Sequence, residues 1–346
     1  MIAPTRHRPV EIIGGGLAGL GLALGLRRVD VPVIVHEAGT YPRHRVCGEF
    51  ITSLDDHTIE TLGLGPLLQD ARSAETVAWY RADRTTHRHR LPEPARCLSR
   101  FALDHRMAQA LVTNDGELIE NSRPTATPAE GRITATGRRP DLSAPWLGVK
   151  MHFTGLTLSD DLELHLGQQA YVGLTRIEGD RINVCGLFHR GNVRSKPPAA
   201  ANPLDQQLRA AGLTTLAERL MSASADPASL CTVAGLNYRH ERAAPESAPL
   251  GDHFALIPPF TGHGMTIALQ SAALAVGPLQ AWSRGERDWA STRREIAARH
   301  RRQLLPKLRR AQHLHGWLLT PKRQHLLAVL ARRDLLPLRW VYGLLH

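Results

Sequence analysis

Gly14, Gly16 and Gly19 stand in the run Gly14-Gly15-Gly16-Leu17-Ala18-Gly19, a Gly-x-Gly-x-x-Gly spacing that fits a backbone to a diphosphate. The first glycine permits a tight turn, the second lets the chain approach the phosphates, and the third lets a helix pack closely on a strand. Glu37, 23 residues after Gly14, can accept hydrogen bonds from ribose hydroxyls, and Ala38 follows it. The flanking residues supply the scaffold these positions need. Val10 to Ile13 is a short apolar strand, and Val31 to His36 is a second strand that ends at the acid. Between them, Leu17 to Arg27 carries Leu20, Ala23, Leu24 and Arg27 at helical spacing. A helix beginning at Leu17 offers free N–H groups and partial positive charge to a pyrophosphate. The unit predicts dinucleotide binding and does not by itself separate FAD from NAD.

A second glycine loop lies far downstream. Gly251-Asp252 is followed by Ile257-Pro258-Pro259-Phe260-Thr261-Gly262-His263-Gly264-Met265, and then by a small-residue helix from Thr266 to Val276. Two prolines stiffen the approach, and Gly262 and Gly264 permit close backbone contact. A helix start at this place stabilises negative charge, such as a reduced flavin develops at N1 and C2=O. A dinucleotide unit alone has no use for this second loop. His263 either meets the reduced ring or fills the loop, and both readings are open.

Together the two ends of the chain resemble the flavoprotein superfamily of p-hydroxybenzoate hydroxylase and the geranylgeranyl reductases. The resemblance implies FAD, with Asp252 holding the ribityl chain and the loop around Gly262, Gly264 and Met265 reaching the pyrimidine edge of the ring. Three further patches are similar to the family's motifs. Arg45-Val46-Cys47-Gly48-Glu49 resembles the Cys-Gly segment of the reductase branch, and Ser99-Arg100-Phe101-Ala102-Leu103-Asp104 resembles a helix start whose arginine contacts the cofactor. Ala135-Thr136-Gly137-Arg138 resembles a strand-ending motif, with Thr136 where the usual form has Asp. By this resemblance Gly14, Gly16, Ala18, Gly19, Glu37, Ala38, Arg45 and Arg100 join Asp252 and the second loop around the cofactor. His253-Phe254 depart from the small residues expected after Gly-Asp, and the Trp-x-Trp-x-Ile-Pro motif of the halogenase branch is absent.

The middle of the chain reads as sheet. Trp146 to Phe153 alternates, with Leu147, Val149, Met151 and Phe153 on one face and Trp146, Gly148, Lys150 and His152 on the other. Asp161 to Gly167 alternates as well. Tyr171 to Ile177 and Arg181 to Phe188 flank Glu178-Gly179-Asp180 as a hairpin, and Val77 to Arg81 with His87 to Leu91 suggest another. Lys150 and His152 either point into a substrate pocket, as proton donors or substrate contacts, or lie on a solvated sheet face. Cys47 is either near the flavin, by analogy with the reductase branch, or a buried inert thiol.

The charge distribution limits the partners. The chain has 346 residues and a net charge of +11. From Ser291 to His346 it carries 13 Lys and Arg against Glu295 and Asp334, so this tail holds the whole excess and the rest is neutral. A nucleic-acid protein would spread such charge along a groove with aromatics between, so no nucleic acid is expected. The tail reads as amphipathic helices, Trp289 to Arg302, Leu304 to Leu319 and Gln324 to Arg333, ending in Leu335 to Tyr342. These either cap the flavin domain or make a peripheral membrane contact. Four separated cysteines, with no Cys-x-x-Cys pair, give neither zinc site nor disulfide framework and suit a cytoplasmic protein.

The sequence therefore predicts an α/β fold: a Rossmann-like FAD-binding domain (1–75, 97–145, 233–285) interleaved with a mixed-sheet substrate domain (76–96, 146–232), followed by a basic helical segment (286–346). The expected activity is that of an FAD-dependent oxidoreductase. An NAD(P)H-dependent monooxygenase acting on a small aromatic or natural-product molecule is preferred over a C=C reductase. A flavin-free binding protein keeping the fold is the reading from another class.

Overall fold

The computed structural model describes residues 7–81, 84–125, 127–138, 141, 143–192, 202–238 and 248–332. The N-terminal unit runs β1 (Val10–Ile13), α1 (Leu17–Arg27) and β2 (Val33–His36). β1 pairs in parallel with β2, Val10 opposite Val33 and Ile13 opposite His36. β3 (Phe50–Ile51), α2 (Asp56–Leu62) and α3 (Gly65–Leu68) lead to the long antiparallel pair β4 (Arg72–Arg81) and β5 (Arg84–Cys97). The chain then returns through α4 (Arg100–Thr113), which Ser99 caps by accepting the Ala102 N–H at 3.0 Å. β6 (Glu117–Ile119) and β7 (Arg132–Thr134) complete a four-stranded parallel sheet in the order β6-β2-β1-β7.

The second sheet takes β8 (Trp146–Thr154), β9 (Leu162–Gly167), β10 (Ala170–Arg176) and β11 (Ile182–His189). After α5 (Pro203–Ala210) and α6 (Thr214–Met221) it gains β12 (Ser224–Leu236). Its order is β12-β8-β11-β10-β9-β4-β5-β3. Both hairpins predicted from alternation are present: β10 pairs antiparallel with β11 and β4 with β5. The chain ends in α7 (Gly264–Ser283), α8 (Trp289–Gln303), α9 (Leu305–Leu319) and α10 (Pro321–Arg332).

Two cores hold these layers. In the first, α1 is apolar all round because it is enclosed: every residue from Leu17 to Leu26 is buried, with α7 packed beside it. In the second, Val149, Met151, Val172, Val184 and Phe188 on one face of the mixed sheet pack against Leu204, Leu208 and Leu216 of α5 and α6. The opposite face carries Gly148, Lys150 and His152 of β8 with their cross-strand partners Cys185 and Asn183. A solvated face was one expectation for Lys150 and His152, and the structure overturns it. Both side chains have no exposed area, because the segment from His44 to Phe50 folds over them and brings Glu49 against both.

The basic tail is a cap over its described length. Leu304, Leu308 and Ala311 bury against Ala255, Ile257 and Ile267, leaving most of the arginines outward. The stretch Leu335 to Tyr342 lies outside the described residues. Among the described residues no helix is long and apolar enough to cross a membrane.

Candidate functional site

Between the two sheets runs a continuous cavity of about 1380 Å³. One end is the glycine turn: Gly14, Gly16, Leu17 and Ala18 line it, with Glu37, Ala38 and Arg100. The middle is walled by Cys47, Gly48, Asp252, Gly262, Gly264 and Met265, so the two distant glycine loops meet on one space. The far end is a chamber of Trp79, Leu164, Tyr171, Leu187 and Phe260, with Arg81 and His87 at its wall. A volume of this size exceeds that of ordinary small-ligand sites, roughly 300–1,000 Å³, and has room for a dinucleotide and a second molecule.

The three glycines differ in what demands them. A Cβ at Gly14 would lie 2.3 Å from Ala135 O, at a φ of +110° that L-residues rarely adopt. A Cβ at Gly19 would lie 1.9 Å from Gly14 O, so α1 could not sit this close to β1. A Cβ at Gly16 meets nothing nearer than Arg100 Nη2 at 3.9 Å, and its φ is an ordinary −87°. The protein itself does not need glycine there. The space in front of Gly16 belongs to the cavity, and a cradle that a Cβ would fill is what a bound pyrophosphate requires.

Charged groups are arranged around this cradle. Glu37 accepts the N–H groups of Gly15 at 2.9 Å and Gly39 at 3.0 Å, and pairs with Arg43 at 2.5 Å and Arg45 at 3.4 Å. Arg100 donates to Asp104 through Nε at 2.6 Å and Nη2 at 2.7 Å, and Arg45 Nε reaches the same carboxylate at 3.2 Å. Burial alone would lower the Arg100 pKa, but Asp104 overrides it and holds the guanidinium charged. Asp252 faces the cavity, where burial raises its pKa against the opposing pull of Arg100, Arg138 and Arg45. Its turn is braced from behind. The Gly251 N–H donates to Ser271 Oγ at 2.9 Å, and His300 Nε2 on α8 donates to Ser271 O at 3.0 Å.

The four candidate catalytic residues separate in space. Cys47 lines the cavity, and burial raises its thiol pKa, so it stands as a protonated thiol. His263 is buried at the start of α7, where its carbonyl accepts the Ile267 N–H at 2.8 Å; among the described residues it is not part of the cavity wall. Lys150 and His152 lie one layer behind the wall. Lys150 Nζ is 3.3 Å from Glu49 Oε1, and His152 Nε2 is 2.7 Å from Glu49 Oε2.

Sequence reasoning did not single out Glu49, His44 or Asp104 as site residues, although Glu49 and Asp104 sit inside motifs it used and His44 stands directly before one. Glu49 carries a backbone signal, a φ of +59°, that no spacing rule reveals. Asp104 is four residues after Arg100, and that i,i+4 relation was the available clue. The aromatics Trp79, Tyr171 and Phe260 come from three separate elements, and nothing local announces their meeting.

No family model matches the chain. Solved structures match it over nearly its whole length. The flavin-dependent brominase Bmp2 superposes with a TM-score of 0.76 at 16% identity, covering 97% of this chain and 92% of that one. HpxO of Klebsiella pneumoniae, solved with FAD and uric acid, gives a TM-score of 0.72 at 16% identity, covering 99% and 97%. PqsL of Pseudomonas aeruginosa, in complex with 2-aminobenzoylacetate, gives 0.67 at 16% identity, covering 98% and 99%. By sequence, the 3-amino-4-hydroxybenzoate 2-monooxygenase PtmB3 of Streptomyces platensis is 28% identical over 197 residues, 55% of this chain and 47% of that protein. The methylenetetrahydrofolate–tRNA-(uracil-5-)-methyltransferase TrmFO of Paracoccus denitrificans is 33% identical over 141 residues, 37% of this chain and 30% of that protein. The chain thus spans less than half the length of the curated relatives it matches. Its two-sheet fold is the one seen in Bmp2, HpxO and PqsL.

Proposed function

We propose that this protein is an FAD-dependent monooxygenase that uses NAD(P)H and hydroxylates an aromatic or natural-product molecule. The observation that carries the reading is the single cavity joining the Gly16 cradle, the Gly262–Met265 loop and an aromatic chamber. FAD would supply hydride acceptance and oxygen activation when bound. The residues around it have separate tasks. Gly14, Gly16, Ala18 and Gly19 would seat the pyrophosphate at the α1 N-terminus, and Glu37 with Ala38 would meet the ribose. Arg45 and Arg100, held by Asp104, would offset phosphate charge, and Asp252 would accept from the ribityl chain. Gly262, Gly264 and Met265 would place the α7 N-terminus against the pyrimidine edge, where negative charge develops on reduction. Trp79, Tyr171 and Phe260 would pack an aromatic substrate and keep water from the reacting face.

The test is NAD(P)H oxidation by the FAD-loaded protein across a panel of phenolic, anthranilate-like and polyketide-like compounds under ¹⁸O₂. A compound that stimulates oxidation and returns with one ¹⁸O supports the reading. A saturated C=C product without ¹⁸O would replace it with the reductase reading. A purified protein lacking the oxidised-flavin bands near roughly 370 and 450 nm, and taking up no added FAD, would remove both.

A further inference from the structure

Behind the wall formed by His44 to Gly48 lies a group of ionisable side chains that the proposed reaction leaves without a task. Glu49, Lys150 and His152 have no exposed side-chain area. Burying charge costs several kcal/mol per ion unless each group finds a partner. Here Glu49 receives the Arg100 N–H at 3.1 Å, Lys150 and His152, and Lys150 also reaches His44 Nδ1 at 3.2 Å.

The chemistry of these partners fixes the proton positions. An ammonium only donates, so His44 Nδ1 accepts from Lys150 and the His44 proton sits on Nε2. A carboxylate only accepts, so His152 donates through Nε2 and its Nδ1 is left as a lone pair. That Nδ1 is buried and has no hydrogen-bond partner among the described residues. Asp226 stands opposite His152 on β12, and one polar atom from each of His44, His152 and Asp226 falls within 4.8 Å of the other two. A register shift in β12 after Asp226 sets it there, pinned by Ser229, whose Oγ donates to Asp226 O and accepts the His152 N–H. Asp226 is half-buried, whereas His44 lines the cavity.

We propose that Asp226, His152, Glu49, Lys150 and His44 form a proton-entry path that feeds the cavity from solvent. A proton reaches His152 Nδ1 past Asp226, and His152 Nε2–H passes one to Glu49. Glu49 refills Lys150, Lys150 gives its proton to His44 Nδ1, and His44 Nε2–H delivers one into the cavity. Glu49 and Lys150 each take one proton and give one, whereas His152 and His44 take at Nδ1 and give from Nε2, so both imidazoles must return to the Nε2–H tautomer before the next proton passes. The consumer rests on the monooxygenase reading: substrate–H, O₂, NAD(P)H and one H⁺ give substrate–OH, water and NAD(P)⁺, a net uptake of one proton. Burial, with Lys150 and His152 beside it, lowers the His44 pKa to about 4, which suits a group that passes a proton on and does not store it. The other ionisable groups facing the path are Cys47 and Arg45 from the loop, Arg100 from α4, Cys185 from β11 and Cys231 from β12. A divalent cation between His44, His152 and Asp226 is the competing use, and the Lys150 ammonium against His44 opposes it.

His44→Gln and His152→Gln keep neutral polar side chains and leave Glu49 and Lys150 balanced. In the FAD-loaded protein, proton uptake is followed with a pH indicator in weak buffer, beside turnover. Each variant should slow both by about 10²-fold near pH 8, with the deficit shrinking toward pH 6, while His152→Gln keeps its FAD content and its flavin reduction by NAD(P)H. Uptake and pH profile equal to the parent in both variants would overturn the path. A second arm needs no flavin: ¹⁵N imidazole spectra of the cofactor-free protein should show His44 protonated at Nε2 and His152 at Nε2. The opposite tautomer at either residue, or one equivalent of Zn²⁺ retained through dialysis, would also overturn it. A parent protein that binds no FAD would remove the consumer and leave the path to be decided by the tautomers.

Discussion

Arg100 and Asp104 stand one helical turn apart on α4 and meet through two hydrogen bonds of 2.6 and 2.7 Å, with Asp104 wholly unexposed. The arginine faces the cavity and the aspartate fixes its fork, while the same carboxylate holds Arg45 at 3.2 Å. Asp104→Asn keeps the shape and removes the charge. Leaving Arg100 without its counter-ion, and Arg45 with Glu37 alone, should destabilise the protein by about 3 kcal/mol and weaken FAD binding at least about 10-fold. Thermal unfolding and a flavin-fluorescence titration measure both, and unchanged FAD affinity would detach this pair from the cofactor.

Gly16 and Gly19 should fail in opposite ways. In Gly16→Val the new Cβ stays 3.9 Å from its nearest neighbour, the flexible end of Arg100, and the side chain enters the cavity, so the cofactor-free chain should melt like the parent yet retain no FAD. In Gly19→Ala the new Cβ would meet Gly14 O at 1.9 Å, so the fold itself should lose at least about 2 kcal/mol. Stoichiometric FAD in purified Gly16→Val would refute the cradle.

Asp252→Ala removes a carboxylate whose pKa is raised by burial, so the apoprotein has little to lose from it. FAD affinity should fall about 10- to 100-fold, the effect of losing hydrogen bonds to a charged acceptor, with the melting temperature of the apoprotein within a few degrees of the parent. Equal affinity by titration would place the ribityl chain elsewhere.

His300 gives a pH prediction. Burial lowers its pKa to about 4 from an ordinary 6.5. The unfolded chain therefore binds more protons between those values, and stability falls as pH drops from 6.5 to 4, with the full contribution present above 6.5. The loss from this one residue is at most about 3 kcal/mol. His300→Gln keeps a donor for Ser271 O and should flatten the slope by one proton in that window. Urea unfolding at a series of pH values tests it, and parallel curves would contradict the assignment.

The sheet pattern was legible because the mixed sheet has one apolar face turned to α5 and α6, and alternation reports a one-sided burial. It misled at Lys150 and His152. Polar residues on the other face normally meet water, and only the fold of His44 to Phe50 across that face supplies them with Glu49.

What the chain determines on its own is local: the turn at Gly14, the α1 N-terminus and the Pro-Pro-x-x-Gly-x-Gly loop each follow from residue types within a dozen positions of one another. Their backbone demands are short-range, so spacing alone exposes them. The tertiary structure decided what those loops share. Asp252 reaches the same cavity as Gly16 because Ser271 and His300 brace its turn, and Glu49 meets His152 across 103 residues. Aromatic walls and buried ion clusters depend on which distant side chains fill the same desolvated space, and no local spacing encodes that.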